Sequence, residues 1–274
     1  MPSLSVTFWG VRGSIACPGP DTMRYGGNTP CLEVRVGGRL LIFDAGTGLR
    51  RLGAKLDRLG PIDADLVFSH THFDHICGLP FFSSIYNPAN NFRLWAGHLL
   101  PDHTLREIVS ELMRDPFFPV PMANLVAARE LNDFEGGGEL DLGRGLVLRT
   151  AHLNHPNGAT GYRVEHLGKS ICYVTDTEHV PGRRDQAVLD LVRNADLLVY
   201  DCTYSDEQFG ARIGWGHSTW EEGIRICEEA NVHRLAIFHH DPTNDDARMD
   251  EIAAAAEEMR PGTVVAMEGM TLVP

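Results

Sequence analysis

The run His70-Thr71-His72-Phe73-Asp74-His75 puts three imidazoles and a carboxylate into six consecutive positions. Just before it, Asp65-Leu66-Val67-Phe68-Ser69 reads as a short apolar strand that delivers the run at its C-terminal end. Side chains alternate along a strand, so His70 and His72 share a face, and a tight turn through Phe73 returns Asp74 and His75 toward them. Imidazole nitrogens and carboxylate oxygens are the donors that zinc, or a similar borderline divalent ion, prefers, and this set suits two adjacent centres. The chemistry implied is metal-assisted hydrolysis, because a bound cation lowers the pKa of water enough to supply a nucleophile at neutral pH.

Two centres need more donors than the run holds, and the chain offers them where apolar strands end. His155 follows Leu153-Asn154, with His152 as its competitor; Asp176 sits in Tyr173-Val174-Thr175-Asp176-Thr177; and His239 and His240 follow Phe238, with only one expected to face the metals. Asp44 closes Leu40-Leu41-Ile42-Phe43 before the glycine-bearing turn Ala45-Gly46-Thr47-Gly48. Two further segments, Asp201-Cys202-Thr203-Tyr204 and Gly214-Trp215-Gly216-His217-Ser218-Thr219, carry polar side chains at equivalent strand-to-helix junctions. His98, His103, His166, His179 and His233 suggest no partner.

Elements able to position these residues are strands interleaved with helices. Leu4 to Val11 reads as a strand, and Cys31–Val36 with Arg39–Phe43 as a hairpin closed by Gly37-Gly38. Leu49, Leu52, Leu56 and Leu59 line one face of a helix expected to end at Gly60-Pro61. Leu146 to Ala151, Gly161 to Glu165, Ser170 to Thr175, Asp196 to Tyr200 and Arg234 to Phe238 read as further strands. Ser218-Thr219-Trp220-Glu221 reads as a capping box opening the helix before Arg234. The proline-bearing stretch from Pro101 to Asn124 is the candidate for an inserted cap or flap within one domain spanning 1–274.

The 274 residues, 43% of them hydrophobic, are enough for a sizeable core. The formal net charge of -13, with the 24 basic residues forming no run longer than a pair, argues against a broad phosphate-tracking surface. A long nucleic acid is therefore an unexpected partner, and a small substrate an expected one. The six cysteines are scattered without a Cys-x-x-Cys pair and read as reduced, small buried hydrophobes, Cys77 beside the histidine run deserving scrutiny. No apolar stretch reaches membrane-spanning length and the first residues lack a leader pattern, so the expected location is the cytoplasm.

The histidine run, with Phe43-Asp44-Ala45-Gly46-Thr47-Gly48 before it and His155, Asp176 and His239 after it, resembles the metallo-β-lactamase superfamily across nearly the whole chain. The resemblance implies an α/β (α+β) fold: a four-layer αβ/βα sandwich of two mixed sheets flanked by helices. It implies that His70, His72 and His155 hold one metal, that Asp74, His75 and His239 hold the other, and that Asp176 bridges them. Asp44 would fix the tautomer of a ligand imidazole.

The segments at Asp201 and His217 look like motifs of the phosphodiesterase branch, which includes tRNase Z and phosphonate-pathway cyclic phosphodiesterases. On that likeness Asp201 holds His217 toward the scissile phosphate, and Asp74, Asp201 and His217 are the expected catalytic side chains. A helix beginning near Asp74 would add modest positive potential. Phe8 to Ser14 and Phe238 to Pro242 also resemble stand-alone bacterial members. The expectation is a hydrolase with two divalent ions, Zn2+ first and Mn2+ or Fe2+ as alternatives, acting on a small phosphodiester such as a cyclic nucleotide. Lactone, lactam or thioester hydrolysis is the alternative. RNA 3′-processing, iron-dependent oxidation and a non-catalytic metal module rank lower, and a homodimer is expected from the relatives.

Overall fold

The computed structural model describes residues 3–274; Met1 and Pro2, the start of the segment read for a leader, lie outside the described residues. The first half runs β1 (Leu4–Gly10), β2 (Cys31–Val36), β3 (Arg39–Phe43), α1 (Gly48–Leu56), β4 (Asp63–Phe68), α2 (Phe73–Ile76), β5 (Asn91–Ala96), α3 (Leu105–Leu112) and β6 (Ala128–Asp133). The second continues with β7 (Glu139–Asp141), β8 (Val147–Leu153), β9 (Ala159–His166), β10 (Lys169–Val174), α4 (Gln186–Val192), β11 (Leu197–Asp201) and α5 (Asp206–Phe209). It ends with α6 (Trp220–Glu229), β12 (Arg234–Phe238), α7 (Asp246–Met259), β13 (Val264–Val265) and β14 (Thr271–Leu272).

Two seven-stranded mixed sheets result, ordered β14-β1-β2-β3-β4-β5-β6 and β13-β12-β11-β10-β9-β8-β7. In each, one half is antiparallel and the other parallel, as β3, β4, β5 and β6 are in the first and β10, β11, β12 and β13 in the second. A strand covered on both faces must be apolar on both, which explains runs such as Leu40-Leu41-Ile42-Phe43. Leu41 and Phe43 turn toward the second sheet, sharing a core with Tyr162, Tyr173 and Phe238. Leu40 and Ile42 point the other way, onto Leu49 and Leu52 of α1. The second sheet's outer face packs on α4, α6 and α7 through Val188, Ile224 and Met249, completing the helix–sheet–sheet–helix layering.

Phe43 lies 5.6 Å from Tyr173 between ring centroids, and Phe8 5.9 Å from Phe238. Truncating such a fully buried ring costs about 3–5 kcal/mol.

The hairpin forms at the expected residues, with Gly37 and Gly38 both at positive φ (54° and 86°) as a two-residue turn requires. The first helix is shorter than its leucine spacing suggests: α1 stops at Leu56, and Leu59 is 60% exposed. The capping register moves by one residue. Thr219, not Ser218, caps α6 by accepting from the Glu222 amide at 3.1 Å, while Ser218 Oγ is taken by His179 and Tyr200.

Within 101–124, Leu105 and Val109 of α3 and the following Met113 join the core under the first sheet. The helical half of that segment is therefore the crossover between parallel β5 and β6, and Phe117, 82% exposed, lies beyond it. Among the described residues no helix is long and apolar enough to cross a membrane.

Candidate metal centre

The donors gather where parallel strands end. Asp44 follows β3, the histidine run follows β4, Asp176 lies two residues after β10, and His239 follows β12 directly. Asp44, Asp176 and His239 all have positive φ (61°, 54° and 61°), which swings each side chain back across its strand end. That conformation is uncommon for residues with a Cβ, yet Asp and His adopt it more readily than most.

Four donor atoms form a compact group. His75 Nε2 lies 3.3 Å from Asp74 Oδ2, 3.2 Å from Asp176 Oδ2 and 3.4 Å from His239 Nε2. His239 Nε2 lies 3.3 Å from each of the same two carboxylate oxygens. Ligands about 2.0–2.1 Å from one zinc ion stand roughly 3.3 Å from one another, so these spacings are short enough for the four atoms to share one ion.

A second group faces the other oxygen of Asp176. His70 Nε2 and His155 Nε2 each lie 3.7 Å from Oδ1, and His155 Nε2 lies 3.0 Å from His72 Nδ1. The three rings converge, with centroids 4.5 to 4.8 Å apart.

The outward nitrogens explain why the inward ones are free. His75 Nδ1 donates to Asp44 Oδ2 (2.8 Å), His239 Nδ1 to Thr203 Oγ1 (3.0 Å), His155 Nδ1 to the Gly216 carbonyl (2.8 Å), and His72 Nε2 to Asn157 Oδ1 (3.2 Å). His70 Nδ1 meets Ser69 Oγ at 3.1 Å, and Ser69 in turn donates to Asp44. Each imidazole thus keeps a lone pair inward while its outer N–H is satisfied, the arrangement that fixes a metal ligand's tautomer. His70 Nε2 is buried with no hydrogen-bond partner at all.

Charge makes the same demand. Elsewhere in the protein buried carboxylates have cations beside them: Asp65 has Arg39 and Arg93, and Glu33 has Arg35 and Lys55. Asp44, Asp74, Asp176 and Asp201 are equally buried, yet among the described residues no Lys or Arg pairs with any of them. A buried charge is stable only when paired or bound to a metal. Without a metal the histidines must compensate. Burial disfavours a charged His75, but Asp74, Asp176 and Asp44 hold its pKa well above the usual range. Burial likewise opposes ionised Asp176, yet His239, His75 and His70 hold it well below the carboxylate range. The residues present therefore fit divalent metal ions.

Next to these donors, His217 Nδ1 donates to Asp201 Oδ2 at 3.0 Å and lies 3.8 Å from Asp176 Oδ1. Its ring stacks on that of His239 with centroids 4.9 Å apart. Burial pulls the His217 pKa down, but Asp201, Asp176 and Asp74 raise it to about 9 overall in the protein alone. Asp201 is itself fixed by the Thr177 amide and by the Thr203 amide and hydroxyl. A cavity of about 300 Å³ opens beside His70 and His72, walled by His98, Asp102, His103 and Asn157.

All the expected donors thus converge, along with Asp44, Asp201 and His217. Of the paired alternatives, His155 and His239 face the centre. His152 is exposed on β8, and His240 is buried away from it, its Nε2 donating to the Ala266 carbonyl at 2.8 Å. Cys77 belongs to no donor group, and burial raises its thiol pKa. The expected helix at Asp74 is only the single turn α2, too short for an appreciable dipole; the Ser14 amide donates to Asp74 Oδ2 instead, at 2.8 Å. Sequence reasoning missed Ser69, Thr203, Asn157 and the Gly216 carbonyl; the hydroxyl two places after Asp201 was the one available signal.

Comparison with known proteins agrees with this geometry. The profile of the Beta-lactamase superfamily domain matches residues 39–240, which spans the histidine run, His155, Asp176, His217 and His239. The chain belongs to this superfamily. Ribonuclease Z of Myxococcus xanthus is a relative 25% identical to it, covering 89% of this chain and 92% of that protein. Ribonuclease Z of Archaeoglobus fulgidus is also 25% identical, covering 97% and 96%. Among solved structures, a diphosphatase of the PhnP family superposes with a TM-score of 0.74 at 18% identity, covering 99% of this chain and 98% of that one. The short form of human tRNase Z gives 0.67 at 19% identity and 98% coverage of both chains. These superpositions establish the metallo-β-lactamase fold of the superfamily.

Proposed function

We propose that the chain is a dinuclear-metal phosphodiesterase. Asp74, His75 and His239 would hold one ion, His70, His72 and His155 the other, and Asp176 would bridge them through its two oxygens. Zinc is the first candidate because the donors are all imidazole and carboxylate. Bound there, two divalent ions would neutralise phosphate charge and supply an activated water for in-line attack.

The observation that carries the phosphodiester reading is the pair Asp201–His217. It is a histidine outside both donor groups, held by a buried carboxylate at 3.0 Å beside the bridging Asp176. With Nδ1 committed to Asp201, Nε2 is the atom free to protonate the leaving oxygen, or to stabilise charge on it. Thr203 and the Thr177 amide fix Asp201, and therefore the direction in which His217 can donate. The cavity beside His70 and His72 offers room for the substituent of a small diester.

Curated relatives named Ribonuclease Z favour a second reading, RNA 3′-end processing, which ranked low on sequence alone. The charge of -13 weighs against a long polyanion and favours a small diester such as a cyclic nucleotide. Turnover of bis-p-nitrophenyl phosphate, a cyclic nucleotide, a precursor tRNA, nitrocefin and a lactone should be measured side by side. Hydrolysis of the first two is expected. Cleavage of the tRNA alone would select the second reading, and lactone or nitrocefin turnover without diester turnover would overturn both.

A further inference from the structure

An aromatic and cationic ladder leads outward from the donor groups. His217 stacks on His239, Tyr204 meets the His217 ring edge-on at 6.0 Å, and the Arg212 guanidinium lies 5.7 Å from the Tyr204 ring centroid. Arg212 also lies 5.1 Å from the centroid of Trp215, which is 59% exposed. Among the described residues no carboxylate forms an ion pair with Arg212, so two rings rather than an acid hold it in place.

The loop carrying Trp215 is tied down on both sides of that residue. Glu178 Oε2 accepts from the Gly214 amide (2.7 Å) and the Gly216 amide (2.8 Å), while the Gly216 carbonyl receives the His155 N–H. Gly216 has φ +85°, and a Cβ there would sit 2.3 Å from His155 Nδ1, so the loop is pressed against the donor group itself. A large aromatic side chain left exposed on an immobilised loop loses little entropy when it binds a ring. Its outer face is a π-surface of the kind on which nucleobases stack, and an adjacent arginine strengthens such stacking.

We propose that Trp215, backed by Arg212, is the platform for a heteroaromatic base of the substrate, so that this chain selects nucleotide phosphodiesters over those with aliphatic or sugar-only substituents. The proposal rests on the phosphodiesterase reading and narrows its substrate class.

AMP and ribose 5-phosphate share a phosphate and a sugar and differ in the base, so they isolate the platform. Each should be titrated into the metal-loaded protein by calorimetry, with tryptophan fluorescence as a second readout, and tested as an inhibitor of bis-p-nitrophenyl phosphate turnover. Stacking predicts that AMP binds about tenfold or more tightly than ribose 5-phosphate. Trp215→Leu should bring AMP down to the ribose 5-phosphate level, Trp215→Phe should restore part of the preference, and Arg212→Gln should reduce it. Equal affinities in the unaltered protein, or a preference that survives Trp215→Leu, would overturn the proposal while leaving the phosphodiesterase reading standing. Absence of both diester turnover and phosphate-ester binding would overturn the two together.

Discussion

The two donor groups use the same side-chain types yet differ in what stands behind them. Around His75 and His239 everything is buried, the spacings run from 3.2 to 3.4 Å, and the outer partners are charged or charge-linked: Asp44, and Thr203 backed by Asp201. Around His70, His72 and His155 the spacings run from 3.0 to 3.7 Å, and only Ser69, which donates to Asp44, links an outer partner to a charge; Asn157 and a carbonyl are neutral. A carboxylate behind an imidazole raises its basicity as a ligand; an amide or carbonyl does so less. On the proposed dinuclear reading the first group would hold its ion the more tightly, and the second, partly exposed at His72 and beside the cavity, would leave coordination room for substrate.

Asp176 carries the largest expected effect, since its two oxygens face different groups. Asp176→Ala should weaken both sites and reduce turnover to background, with metal loss visible by elemental analysis. Retention of metal and activity would mean the groups do not share this carboxylate.

His217 tests whether catalysis separates from binding. His217→Ala should retain metal while lowering diester turnover roughly 10²–10⁴-fold, the usual worth of a proton donor. A histidine with a raised pKa is protonated below it, so turnover should fall as pH rises through the His217 pKa. That value is about 9 in the protein alone, and bound cations would pull the limb to lower pH. The alkaline limb should vanish in the alanine variant; an unchanged profile would remove His217 from the reaction.

The smallest effects are expected at the outer partners of the imidazoles. Asp44→Asn should cost roughly 10–100-fold in affinity for the retained ion. Asn157→Ala should cost less, and at the other ion. Competition with a chromogenic chelator reads both, and a larger loss from Asn157→Ala would reverse the ordering.

What was legible in the sequence follows from the same distinction. The donors were legible because four metal-ligating side chains within six consecutive positions at a strand end are a residue-type signal in themselves. Their supports did not. Asn157 and Thr203 reach their imidazoles only through the pairing of distant strands, and the Gly216 carbonyl carries no residue-type signal at all. Hydrophobic spacing located every strand of the two inner layers that deliver donors, but overran α1, because Leu59 keeps the helical period after the backbone has turned. The choice between His239 and His240 depended on a positive φ that sequence does not display.

Residues distant in the chain are proposed to form two unequal cation sites around one carboxylate. Elemental analysis of protein prepared without chelator, then titrated with a weak chelator, tests this directly. Two equivalents should be lost in separate steps, with the first step missing in His72→Ala. A single equivalent in the unaltered protein, or one step for both ions that His72→Ala leaves unchanged, would contradict it.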